Sequence, residues 1–480
     1  MREHLLTFSH QTIALPVFSV PATEASDAVP GVSIRRPFSS FRPESRTVSS
    51  PFRFLSLPLR TMKTKVLFIL LSACICLTAT AQRNTPLSSD IRTLRTYVTE
   101  RPTAPPIIEL GSDEHITVDF DYLSHTYHRF LYRIEHCDAN WQVSEDLFDS
   151  DFLSGNNGDE PVGQEEQSRN TMQQYTHYSL RLPNENTDFL LAGNYRLTLI
   201  DDTEDSPRPV AQAYFTVVNP KVSISATAST DTEIDRNDTH QQLTIRLNYG
   251  QLNVHDPRKE LSIVVMQNRR YDNAVVRPRP TSVAPSALLW EHDKDLIFKA
   301  GNEYRKFELL STRRGNFGVD NVRWFEPYYH ATLFVDEPRR NYLYDQDQDG
   351  LRIVRTTDGY DSATEADYVF VHFALQTPRR DDGDFYLNGN WTDDRLDDEW
   401  KMTYDDASGC YVAAPLLKLG YYSYQYLFVP HDSPGVGHTA QAEGDFYQTE
   451  NEYTLIAFYR AQGARYEEPV GHITFKFRPQ

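Results

Sequence analysis

Two short strings in this 480-residue chain carry side chains of the kinds that bind metal ions. His136-Cys137-Asp138 places three potential ligands in a row at the end of RFLYRIEHC, residues 129–137. That segment reads as a strand, and neighbouring strand residues project to opposite faces, so one ion cannot easily meet both His136 and Cys137. No CxxC or HxxxH spacing accompanies them, so the string is expected to be structural. Asp345-Gln346-Asp347-Gln348-Asp349-Gly350 matches the first six positions of a calcium loop, with carboxylates at alternate positions and a glycine at the sharp turn. The twelfth position, which should be a bidentate glutamate, is Thr356, and flanking helices are missing. A glycine-ended acidic turn accounts for the pattern, and neither a metal nor another cofactor is expected.

For catalysis the chain offers no nucleophile elbow, glycine-rich phosphate loop, HExxH helix or locally paired carboxylates. Asp393-Asp394 and Asp397-Asp398 are acidic pairs, but among 67 Asp and Glu they read most simply as solvated loops. No catalytic residue is assigned and an enzyme is not expected. DFYLNGNWTDD at 384–394 and KMTYDDASGCYVAAPLLKLGYYSYQYLF at 401–428 resemble the small sandwich modules that bind starch-like glycans. Trp391, Trp400 or Tyr421, if exposed, would stack on a sugar ring. Tyr422, Tyr424, Tyr426 and Phe428 fall on one strand face, as core residues do. Periplasmic glycan binding is therefore the alternative reading.

These residues must be positioned by β-structure. Aromatic residues make up 12% of the chain, with 28 Tyr and 26 Phe, a composition that suits pleated, half-buried surfaces. Ile116, Val118, Phe120 and Tyr122 alternate with Thr117, Asp119 and Asp121, which predicts a half-buried strand. LSIVVM at 261–266 is apolar on both faces and should be deeply buried. The polar stretch 150–174 has no period and reads as a long surface loop, the first candidate for partner contact. No convincing amphipathic helix follows Gln82. The expected fold is all-β, tandem immunoglobulin-like sandwiches: 82–219, a middle sandwich at 220–360, and a carbohydrate-binding or early-set-like sandwich at 361–480.

The formal net charge is −19, and the first 82 residues hold nine Lys and Arg against four Asp and Glu, leaving −24 on the remainder. So negative a surface repels phosphate backbones and anionic head groups, which argues against nucleic acid and direct membrane binding. MKTKVLFILLSACICLTATAQ, from Met62 to Gln82, has the charged start, apolar run and Ala79-Thr80-Ala81 cleavage pattern of a secretory signal peptide at 62–81. Its apolar run is too short for a membrane span. Residues 1–61 then read as a misassigned, disordered upstream extension. A rival reading makes Leu71-Ser72-Ala73-Cys74 a lipoprotein box with Cys74 lipidated. Beyond the signal only Cys137 and Cys410 remain, too few for a disulfide framework, and whether they pair is open.

Nine strings in order resemble one family. They are LGS at 110–112, HCDANW at 136–141, NTMQQYTHYSLRLPNE at 170–185, AGNYRL at 192–197 and DPRKELSIVVMQNRRYDNA at 256–274. GNEYRKFEL at 301–309, LNGNWTD at 387–393, LLKLGYYSYQY at 416–426 and EGDFYQTENEYTLIAFYR at 443–460 complete the set. The family is the plug proteins of the Bacteroidota type IX secretion system. Asn140, where an acidic residue is expected, and the tail YEEPVGH at 466–472 depart from the pattern. The resemblance implies a non-enzymatic periplasmic protein that docks on the outer-membrane translocon barrel and seals its periplasmic mouth. It does not assign the partner-binding residues, which stay unknown.

Overall fold

Alternation of apolar and polar residues makes each strand bury one face, and two such sheets closing on each other make a sandwich. The computed structural model describes residues 83–479 apart from Asp159, Glu204 and Asp205. The upstream extension, the signal peptide and Cys74 lie outside the described residues. Those described belong to one compact unit containing three sandwiches. Helical segments within it are single turns, such as Asp149–Phe152 and Ser362–Glu365. Among the described residues no helix is long and apolar enough to cross a membrane.

The first sandwich pairs Ile91–Val98, Ile116–Tyr122, Thr176–Leu182 and Gln164–Gln167, in that spatial order, into one antiparallel sheet. Its other sheet is built on Arg208–Val218, Gly193–Asp201 and Phe130–Cys137. Phe120 and Tyr178 stack at 5.1 Å between the sheets, with Phe130 edge-on to both at 5.2 and 4.8 Å. The stretch expected as a long surface loop is more ordered than that. It contains Asp149–Phe152, Leu153–Ser154, Glu160–Pro161 and Gln164–Gln167, and the last of these pairs with Thr176–Leu182.

The boundary expected between the middle and C-terminal sandwiches does not match the strand pairing. The middle sandwich packs the sheet of Ser223–Ser229, His240–Asn248 and Ala287–Trp290 against a sheet of Leu261–Gln267, Asn451–Tyr459 and Glu468–Phe477. The final two strands therefore return to the middle sandwich, with Ile263 and Val265 opposite Ala457 and Leu455. Strands at Arg305–Leu309 and Tyr328–Leu333, expected in the middle sandwich, pair instead with Gly420–Pro430 and Tyr368–Gln376 of the third. The third sandwich is thus an insertion between the two parts of the middle one. Local periodicity identifies strands but carries no information about partners so distant in sequence.

LSIVVM is buried on both faces, as expected, and the two faces have different partners. Ile263 and Val265 enter the middle core. Val264 and Met266 join Ile107, Ala139, Val218, Ile456 and Phe458 in an apolar seam between the first and middle sandwiches.

Candidate functional site

The residues singled out for chemistry are mostly structural. His136 is 1% exposed, with Nδ1 2.9 Å from Ser144 Oγ and Nε2 3.2 Å from Ala192 O. Its ring packs so closely that a Cβ on Gly193 would lie 2.3 Å from Nε2, so any side chain there must displace the ring. Cys137 and Cys410 are buried free thiols, and burial pushes the Cys137 thiol up to about 12. The three carboxylates of the calcium-like string point to separate partners. Asp345 takes Lys306 at 2.6 Å, Asp347 accepts from the Tyr304 and Asp349 amides, and Asp349 pairs with Lys476. Trp391 and Trp400 meet edge-on at 5.3 Å in the third core, where Tyr422, Tyr424, Tyr426 and Phe428 also lie. Two of the three aromatics proposed to stack on sugar are therefore unavailable, and Tyr421 is half-buried.

What the alternation reading missed is the polar face of Ile116–Tyr122. All seven residues of that strand are buried: Arg95, Tyr97 and Ser179 of the same sheet cover Asp119, and the third sandwich covers Asp121. Asp121, with no exposure, accepts from Lys418 Nζ at 2.6 Å and the Tyr368 hydroxyl at 2.7 Å, with His177 Nδ1 also at 2.7 Å. Lys418 Nζ also donates to Ala363 O at 2.7 Å and lies 4.1 Å from the centre of the Tyr175 ring. Burial would raise the Asp121 carboxyl, but Lys418 and His177 hold it below the usual range. Burial pulls the Lys418 ammonium down. The one sequence cue was a lone lysine inside the apolar run LLKLGYYSYQY. With its nitrogen committed to Asp121 and Ala363, Lys418 acts as an interdomain clamp.

The loop first considered for partner contact takes part in the same seam. Arg169 N donates to Thr364 O at 2.9 Å, and the amides of Met172 and Gln173 donate to Asp367 at 2.8 and 3.1 Å. The Tyr175 hydroxyl bonds Ala363 O and Ala366 O. Its C-terminal half is therefore largely engaged within the molecule.

Unengaged apolar surface lies elsewhere, on the edge hairpin of the third sandwich formed by Val319–Phe325 and Tyr328–Leu333. Phe325 is 57% exposed at its tip beside Trp324, while Phe317, Phe334 (60%) and Val335 are exposed at its other end. Parallel pairing with Tyr368–Gln376 sets His330 opposite Phe370 and Thr332 opposite His372. The two imidazoles stack at 5.1 Å, His330 Nδ1 lies 2.8 Å from His372 Nε2, and burial lowers both below the usual range. The result is an aromatic outer sheet face on which Arg323, opposite His330, is an exposed cation. Exposed apolar groups gathered in this way mark interaction surfaces more often than isolated ones do.

A family model described as type 9 secretion system plug protein, first domain, matches residues 91–219, the span of the first sandwich from its strand Ile91–Val98 onward. The chain belongs to the type 9 secretion system plug protein family. A crystal structure of a hypothetical protein from Parabacteroides merdae is similar to this plug-family protein over 83% of this chain and 100% of that one. The two share 39% identity with a TM-score of 0.80. The C-terminal domain of a Streptococcus pyogenes antigen I/II-family protein also aligns, at 7% identity and a TM-score of 0.16, and carries no argument. No curated protein matches.

Proposed function

We propose that this protein is a non-enzymatic periplasmic plug that docks on the periplasmic mouth of the outer-membrane translocon barrel and closes it by occupying space. Membership of the plug family carries this reading. The architecture suits it: a body that seals a pore sterically must resist deformation. Here the first sandwich is joined to the middle one by an apolar seam and to the third by the Asp121–Lys418 clamp. The signal-like segment ending at Ala81 supports export, and the acidic charge favours a protein partner over a lipid surface.

The edge hairpin around Trp324 and Phe325 is the contact this reading favours. A specific interface buries at least about 1,000 Å² in total and is anchored by a few aromatic residues. Tagged protein should capture a large outer-membrane β-barrel from envelope extract, identified by mass spectrometry. Trp324→Ser with Phe325→Ser should lower that capture about tenfold with little change in thermal stability, since both side chains are exposed. A strain lacking the protein but assembling the barrel should admit bulky antibiotics; unchanged permeability there would defeat the reading.

A further inference from the structure

Asp393 and Asp394, expected in a solvated loop, line a cavity of about 170 Å³ where the three sandwiches meet. Arg83 and Arg95 reach it from the first sandwich, Arg269 from the middle one, and Arg352 from the third. Four arginines and two aspartates thus line it. Arg95 pairs with Asp119 at 2.8 Å and Arg269 with Glu452 at 2.9 Å. Arg352 makes no ion pair among the described residues, and its Nη2 donates only to Leu94 O at 2.9 Å. The Nε–H groups of Arg83, Arg95 and Arg352 are shut off from solvent and have no partner among the described residues.

Nor do the local acids neutralise this charge fully. Asp393 accepts from Asn84 Nδ2 at 3.1 Å, and burial pushes its carboxyl up to about 7 despite Arg352 and Arg395. Asp394 is held by Asn388 Nδ2 at 2.9 Å and is likewise pushed up by burial, to about 6. A partly buried guanidinium with one hydrogen bond, a shielded Nε–H and only the more distant charge of Asp393 to offset it has its desolvation incompletely repaid. An anion in the cavity would supply the missing acceptors. Donors arriving from separate sandwiches favour an ion with oxygens in several directions over a flat carboxylate. The volume falls well short of the 300 Å³ or more typical of drug-sized ligands, which favours a small ion.

We propose that the junction cavity binds a small tetrahedral oxyanion, phosphate or a phosphomonoester head, through Arg83, Arg95 and Arg352, and that the bound anion ties the first sandwich to the third. A ligand that binds only the assembled body stabilises it by mass action. The overall negative charge of the protein opposes long-range attraction of such an ion, so binding depends on the local guanidiniums.

The test is calorimetric titration of the intact mature chain with inorganic phosphate, paired with thermal unfolding in phosphate against chloride at equal ionic strength. The native protein should give saturable heat and a midpoint that rises with phosphate, and Arg352→Gln should bind about tenfold more weakly or worse. Should Arg352→Gln fail to fold, Arg83→Gln decides, because the Arg83 Nε–H has no hydrogen-bond partner among the described residues. Glycerol 3-phosphate distinguishes the sources: binding equal to phosphate points to an esterified head group, and markedly weaker binding to the free ion. No saturable heat up to about 10 mM, or variants that bind as the native protein does, overturns the proposal and leaves a cavity filled by water.

Discussion

Replacing Lys418 by methionine removes the clamp's cation and keeps most of the side-chain volume. Asp121 has no exposure and Lys418 is 2% exposed, so neither charge can be rescued by bulk water where it stands. Breaking a buried pair by removing one partner costs about 3–5 kcal/mol, since an uncompensated buried charge remains. Asp121 would keep its contacts with the Tyr368 hydroxyl and His177 Nδ1, each 2.7 Å away. The loss should therefore fall near the lower end, about 3 kcal/mol at pH 7, a large share of a typical total stability. Urea denaturation followed by tryptophan fluorescence measures it. Limited proteolysis near Arg169, whose amide bonds Thr364 O, should accelerate as the seam between first and third sandwiches loosens. The double variant Lys418→Met with Asp121→Asn removes both charges and should recover at least half of the loss. A single variant within about 0.5 kcal/mol of the native protein, or a double variant no better than the single, would refute the clamp.

Burial pushes Asp347 and Asp393 up to about 7. Both are raised above the ordinary value near 3.9, so the native state binds more protons than the unfolded chain across that window. Their contribution is full below about pH 4 and is lost as pH rises through about 7, and Asp347→Asn should flatten the fall of stability between pH 5 and 8 measured by denaturation. Asp121 runs the other way: held low, it should contribute above the ordinary carboxylate range and lose that contribution in acid, an effect that Asp121→Asn should remove. Gly193→Ala forces a Cβ against His136 and should cost about 2 kcal/mol in thermal unfolding; an unchanged midpoint would contradict the close packing of that ring. A fragment of residues 220–360 should fail to give a cooperative transition, because it lacks Asn451–Tyr459, the strand paired along the whole of Leu261–Gln267; a cooperative fragment would contradict the inserted topology.

The individual strands were legible because their alternation is local. Ile116–Tyr122, Phe130–Cys137 and Leu261–Gln267 show it in a handful of residues. The reading of the tyrosine ladder at 422–428 as core held for the same reason, since period 2 sends all four aromatics to one side. Family membership was also readable, from strings spread in order along the chain. The sequence alone therefore determined an all-β protein of plug type whose standard catalytic motifs are missing.

Tertiary structure decided the rest. Asp121 looks like part of a solvated face until the third sandwich covers it, and Lys418 looks misplaced until Asp121 is opposite it. Asp393 and Asp394 look like loop acids until the sandwiches close a cavity over them. The return of Asn451–Phe477 to the middle sandwich joins residues nearly 200 positions apart, and no local period reports such a pairing. A strand pattern states which side of a residue is apolar; what finally covers the polar side depends on domains that meet only after folding.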